Sequence, residues 1–458
     1  MIIETVFLNL LFMIPGFFLI ELFDIDVKGK YLLTPYLSFG YFNFLSILLF
    51  LFNFKEINYW FYLLSLLPLI LFFKLKFNLK LLNNFIGVSI FFIFLDLVLS
   101  FFTLISLPGN TNNTFDEIYK LFNYGTENLN IGFIPLPMFT SGIFTNLDFS
   151  KSLINIFFIQ FIFISLFSIL NIVKNVKHAV ITILFLISNF AIFEVTYELL
   201  SYRSHSLTAS SLMILFIYFH KKLNLKTQKI LIFFAVFLLI NSRLENILFG
   251  YLYLFSFYLL NSEKFISNKK IILASSTLAG VYMAIIPRSS AEEDLRSSDI
   301  FILLLVLFGF LLIYYEFFNT KIIYYLSFIF SYLYVIYSYI IYREIFISVV
   351  AVTYTKIFDP NSGYGLQFIF FIVLYIYVTL QSNSVSHQFS KYMLFILYLN
   401  FLIGILQTYI YQGQASLEYI ENMSIFNPLD LSTFRGSVQT ISFLWLVGAS
   451  AFIEENID

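Results

Sequence analysis

Residues 85–107 read FIGVSIFFIFLDLVLSFFTLISL, and Asp96 is the one charged side chain in the stretch. An α-helix needs about 20 apolar residues to cross the hydrocarbon of a bilayer, so this run predicts a membrane span. A carboxylate inside such a run is costly unless it is paired or faces other helices. Asp96 therefore reads as half of an interhelical hydrogen bond in preference to a proton relay.

Similar runs recur on both sides. They fall at roughly 5–23, 31–54, 59–73, 151–173, 179–193, 204–219, 230–241 and 247–261. More follow at 271–287, 300–318, 322–342, 365–381, 392–411 and 437–453. The expectation is an all-α polytopic membrane protein with about fifteen (13–15) transmembrane helices. Composition agrees. Of 458 residues, 60% are hydrophobic, 21% aromatic and 12% charged, where a soluble domain carries about 25% charged. Mean hydropathy is +0.88. This points away from a water-soluble enzyme, and a net charge of −1 offers no basic face to nucleic acid. There is no cysteine, hence no disulfide, thiolate metal site or cysteine nucleophile. The first run lacks the positive n-region and small-residue cleavage site of a signal peptide. No P-loop, G-x-G-x-x-G or H-E-x-x-H is present.

Lysine and arginine separate along the chain. The connections at 24–30, 74–80, 174–178, 220–229, 262–270, 321 and 382–391 hold most of the lysines. They are every second connection. Positive charge stays cytoplasmic, which predicts a multi-pass protein of the inner, cytoplasmic membrane with its N-terminus outside and C-terminus inside. Arg203, Arg243, Arg288, Arg296, Arg343 and Arg435 fall on the opposite side. A guanidinium is a permanently charged planar fork suited to phosphate or carboxylate. Pairing with nearby acids accounts for such arginines equally simply.

Three polar segments on that side could carry chemistry. Asp116 and Glu117, followed by Tyr119, lie in the long connection 108–150, whose retained apolar residues read as an ordered interfacial loop with short helices. Adjacent carboxylates near a low-dielectric boundary can hold one member as a base; Thr114 with Glu117 also fits a helix capping box. Glu198, Tyr202, Arg203 and His205 form the second segment, readable as a functional cluster or as an interfacial Glu198–Arg203 pair. The third is Asn241-Ser242-Arg243-Leu244-Glu245-Asn246, between two short apolar runs. It places Arg243 at a buried anionic ligand or in a surface pair with Glu245.

These segments, in this order, resemble the GT-C superfamily of membrane glycosyltransferases. The resemblance rests on Asp116-Glu117-Ile118-Tyr119, then Phe133-Ile134-Pro135-Leu136-Pro137, then Ser242-Arg243-Leu244-Glu245-Asn246 preceded by Lys221, Lys222 and Lys229. It covers about 85–261, and Ile14-Pro15-Gly16-Phe17-Phe18-Leu19-Ile20 is similar to the leader helices of some members. It implies accessory helices over 1–84 and a catalytic transmembrane domain over 85–458 that includes the loop 108–150. It further implies transfer of a sugar from a polyprenyl-phosphate donor to a lipid, glycan or protein acceptor, in glycan biosynthesis at the cell envelope. In that picture Asp116 is the base, and Glu117 orients the acceptor or helps Asp116 hold a divalent metal (magnesium or manganese). Arg243, Arg203 and His205 bind the donor phosphate, and Tyr119, Glu198, Tyr202 and Glu245 contact substrate. Two other readings stay open: a polymerase or ligase using pyrophosphate-linked glycans, and a transporter or flippase.

Overall fold

Where the chain turns back after its first helix, the backbone closes on itself in a specific way. The amide of Ile25 donates to the carbonyl of Ile20, and that of Asp24 to Glu21. Asp24 takes the left-handed conformation, φ 54°. This is a Schellman closure with aspartate in the place glycine usually holds, and Ile25 is buried as its hydrophobic contact. The computed structural model describes residues 2–51, 79–103, 156–173, 175–180, 205–220, 224–242 and 262–285, with isolated positions at 63, 66–68, 70 and 254.

Among the described residues there are eight α-helices and one 3₁₀ turn, and no strand. They are α1 (Ile2–Leu22), the turn Lys30–Leu33, α2 (Thr34–Leu51), α3 (Leu79–Thr103), α4 (Ile156–Ile172), α5 (His205–His220), α6 (Leu225–Asn241), α7 (Ser262–Ser267) and α8 (Lys269–Ile285). The long helices run in two opposite directions. One end of the bundle gathers the 24–33 loop, the end of α4 and the start of α6. There Asn171 Nδ2 donates to the Lys28 carbonyl at 3.0 Å, and the Asp26 amide to Thr227 Oγ1 at 3.0 Å. Asn224 caps α6, its side chain accepting from the Thr227 amide at 2.7 Å. Helices α1, α4 and α5 run toward this end; α2, α3, α6 and α8 run away from it.

Phenylalanine fills the interior. Phe12 packs against Phe39, Phe42 and Phe92, joining α1, α2 and α3, with ring centroids 5.2–6.0 Å apart. Phe17 stacks on Tyr31 and meets Phe85 edge-on. Glycine permits close helix approach at two points. At Gly16 a β-carbon would strike the Thr34 carbonyl and Ser38. Pro15 breaks the local hydrogen-bond ladder of α1, and the Gly16 amide is satisfied across the gap by Ser38 Oγ at 3.0 Å. At Gly40 a β-carbon would meet the Phe234 ring.

The structure corrects the expected architecture. Among the described residues one helical segment, Leu79–Val98, is long and apolar enough to cross a membrane; Asn9–Leu22, Phe158–Ile172 and Ser206–Tyr218 are shorter apolar helices. About fifteen crossings, and the multi-pass topology with assigned sides built on them, are not upheld. The physical reason is that hydropathy alone does not separate two kinds of helix. A helix apolar all round is either a span or the buried core of a bundle, and at 1.5 Å per residue the helices of 16 or 17 residues fall short of a ~30 Å core.

Gly40→Ala should lower stability by about 1–3 kcal/mol, because the added methyl overpacks against a buried ring. Gly87, whose β-carbon would meet nothing within 4 Å, is the control. Gly87→Ala should be neutral or stabilising by up to about 1 kcal/mol through helix propensity. Thermal unfolding of the two variants checks the contrast.

Candidate functional site

The first two turns of α5 read His205-Ser-Leu-Thr-Ala-Ser-Ser211. Ser206, Thr208, Ser210 and Ser211 are all fully buried. A helix carrying four hydroxyls into an apolar interior must find partners for them, and three neighbouring helices supply those of Thr208, Ser210 and Ser211. Gln160 Nε2 of α4 donates to Ser210 Oγ at 2.6 Å. Tyr36 of α2 shares a 2.6 Å hydrogen bond with Ser211 and reaches the Phe234 carbonyl of α6 at 3.5 Å. Thr208 and Ser242 pair at 2.8 Å. The result is a polar seam around α5, walled by phenylalanine.

The seam is incompletely satisfied. Both side-chain polar atoms of Asn43 and of Asn241 lack a hydrogen-bond partner, as does Gln160 Oε1. Tyr36, Gly40 and Asn43 share one face of α2 by their i, i+4, i+7 spacing. Since Tyr36 and Gly40 both meet Phe234, Asn43 lies on the face turned toward α6. Asn241 follows Phe234 by seven residues on that helix. Each orphaned buried polar group costs about 1–3 kcal/mol.

A second buried contact joins α1 to α3. Asn9 Nδ2 donates to Asp96 Oδ2 at 2.7 Å, both residues fully buried. The interhelical hydrogen bond expected of Asp96 is thus present.

Helix α3 sorts its residues in an unusual sense. Its inward stripe is Phe85, Ser89, Phe92 and Asp96; the last three are almost wholly buried, and Phe85 packs on Phe17. Its outward stripe is Leu79, Leu82, Ile86, Ile90, Phe94 and Leu97, between 36% and 74% exposed. Only 17% of its most apolar window is buried. From Ser89 to Leu97 the polar side chains Ser89 and Asp96 face in, while Ile90, Phe94 and Leu97 face out.

Charge is also sorted. The end of the bundle built from the 24–33 loop carries Lys28 and Lys30, with Lys80 at the start of α3 and Lys177 beyond α4. Lys226 and Lys229 stand in the first turns of α6, and Lys264, Lys269 and Lys270 around α7 and α8. Described carboxylates there are Glu21, Asp24, Asp26 and Glu263; in the opposite half, no lysine or arginine occurs among the described residues. Lys30 pairs with Glu21 at 2.7 Å, its side chain 27% exposed. Burial pulls the Lys30 pKa down, but the Glu21 hydrogen bond and charge outweigh it and hold the ammonium above its ordinary value of 10.5. Burial and the same Glu21 charge push the Tyr31 phenol up. Asn84 Nδ2 donates to that phenol at 3.0 Å, fastening the first turns of α3.

Of the residues expected to carry chemistry, His205 opens α5, where its backbone is helical. Asp116, Glu117, Tyr119, Glu198, Tyr202, Arg203, Arg243 and Glu245 lie outside the described residues. The seam residues Tyr36, Asn43, Gln160, Ser210 and Ser211 carry no motif that singles them out in the sequence. The one signal there is the density of hydroxyls in 206–211 within an otherwise apolar run. Among the described residues no group of three or more histidines, aspartates or glutamates could hold a metal ion.

These contacts can be tested by substitution. Asp96→Leu strands a buried amide and should cost about 1–3 kcal/mol, and adding Asn9→Leu should return part of it. A double-mutant cycle on unfolding should give a coupling of about 1 kcal/mol. The Lys30–Glu21 contact works in the alkaline direction. A lysine with a raised folded pKa contributes stability below its unfolded pKa of 10.5 and loses it as pH rises through the folded value. Solvent screening keeps the effect below about 1 kcal/mol. The melting temperature of Lys30→Met should accordingly lie slightly below wild type at pH 8 and converge with it as pH rises through the raised folded-state value.

No family model, no curated protein and no solved structure matches this chain. With no match, and with one membrane-length helix among the described residues in place of a multi-span core, the resemblance to GT-C glycosyltransferases is not upheld. The sugar-transfer reaction, its polymerase and transporter alternatives and the envelope role read from it fall with it. Short motifs between apolar runs match one another easily, because few residue types are in play.

Proposed function

We propose that this chain works in contact with a lipid bilayer, with the outward stripe of α3 in the hydrocarbon. One observation carries the reading: α3 turns Asp96 and Ser89 inward and six large apolar side chains outward. A helix on a water-facing surface shows the reverse sorting. In lipid, the polar groups must be satisfied internally and the apolar ones face the solvent, which is hydrocarbon. The apolar segment Leu79–Val98 has 20 residues and a mean hydropathy of 2.0. At 1.5 Å per residue it spans about 30 Å, the thickness of a bilayer core. The composition of the whole chain supports the same surroundings. Within such a bundle the seam around α5 acts as interhelical glue.

The absence of cysteine in the chain makes the test clean. Ile90→Cys is spin-labelled and the protein reconstituted with phosphatidylcholine. The label should be accessible to oxygen and shielded from a water-soluble nickel reagent, whereas a label at Lys177→Cys should show the opposite. Nickel access at position 90 would overturn the reading. So would an immobilised label shielded from both reagents, which would mean that a second protein surface covers α3.

A further inference from the structure

We infer that the lysine end of the bundle is a docking surface for the anionic headgroups of one leaflet, an inference that rests on the bilayer contact proposed for α3. Lys28, Lys80, Lys177, Lys226, Lys229 and Lys270 are exposed there. Among the described residues at this end there are nine lysines and four carboxylates; Lys30 and Glu21 hold each other, and Lys80, Lys264 and Lys269 make contacts of their own. Asp24 approaches Lys226 only to 3.9 Å, and both are well exposed.

The lysines do not serve the helices that carry them. Helices α3, α6 and α8 begin at this end, and none has an acidic residue in its first turn. A helix start already bears partial positive charge, so lysine there is placed against the dipole. Such an arrangement is stabilised by an external anion. Its place relative to α3 selects the kind of anion. Lys80 adjoins Leu79 and stands within one turn of Leu82, so the charged end and the outward apolar stripe are continuous on one helix. With the stripe in hydrocarbon, Lys80 stands at headgroup depth. The other lysines share its end of the bundle, which sets them near the same level. Polybasic surfaces at that depth attract anionic lipid, and the attraction is screened by salt. Lysine suits a fluid headgroup layer, being a point charge on a flexible stem that requires no fixed partner geometry.

The test is vesicle flotation of the purified full chain, from dilute detergent, with phosphatidylcholine vesicles and with vesicles containing phosphatidylglycerol. The wild type should associate with the anionic vesicles at least about a hundredfold more tightly, from about fivefold per engaged lysine. In about 1 M salt the preference should fall toward unity. The variant Lys28→Gln/Lys177→Gln/Lys229→Gln/Lys270→Gln should lose most of the preference and keep its association with phosphatidylcholine. Equal association of the wild type with both vesicles, or a preference retained by the variant, would overturn the inference and leave the bilayer contact standing. Loss of association with phosphatidylcholine by the wild type itself would instead sink the bilayer reading. Should the fourfold variant not fold, the salt titration of the wild type decides: a preference undiminished in high salt is not made by lysines.

Discussion

A hydroxyl or amide buried among phenylalanines must meet a partner, and that requirement sets how these helices stand against one another. Apolar contact is non-directional and would let neighbouring helices slide or rotate at little cost. Hydrogen bonds would not. Ser210 and Ser211 are adjacent on α5, yet one is met by Gln160 from α4 and the other by Tyr36 from α2. One turn nearer the start of that helix, Thr208 meets Ser242 at the end of α6. Three helices are thereby fixed in height and rotation about a fourth. The Asn9–Asp96 contact does the same for α1 and α3. Partly satisfied networks are costly, so the orphaned amides of Asn43 and Asn241 are the weak places in this lattice.

At the lysine end, caps fix the helices in the same way. Asn224 holds Thr227, whose hydroxyl holds the Asp26 amide. Asn171 holds the Lys28 carbonyl. Backbone groups in a loop need partners too, and here the side chains that meet the Asp26 amide and the Lys28 carbonyl come from distant parts of the chain. Local helix signals thus become long-range ties. The end of α4 and the start of α6 are joined to the first loop by these bonds.

The sequence was informative about helices and less so about their setting. The apolar runs expected at 204–219 and 271–287 form helices over His205–His220 and Lys269–Ile285. Where the match is looser, polar first turns are the cause. Helix α6 starts at Leu225, ahead of the run at 230–241, because Asn224 and Thr227 begin it and polar caps depress hydropathy. Helix α3 starts at Leu79, ahead of 85, because Lys80, Asn83 and Asn84 depress the hydropathy of its first turns. Asp96 was legible as an interhelical partner since a lone carboxylate in an apolar run has few alternatives. Tyr36 and Gln160 were not, because in a chain this rich in tyrosine and polar amides nothing local marks the ones that face a hydroxyl. The catalytic assignments rested on short motifs outside the described residues, and no matched protein supports them.

Two asymmetries of the molecule bear on each other. The outward stripe of α3 alone would accept any apolar cover, whether lipid or protein. The lysine end alone would accept any anion. They are continuous at Leu79-Lys80, and the opposite half of the described bundle carries no lysine or arginine. A soluble anion satisfies the second asymmetry and ignores the first. A protein partner could satisfy both only by presenting an apolar ridge about 30 Å long that ends in an acidic patch. A bilayer with anionic headgroups presents that profile along every line normal to its surface, so it needs no particular register to match both. For a surface whose lysines sit on five different connections, and whose apolar stripe follows a single helix, that tolerance favours lipid over a shaped partner.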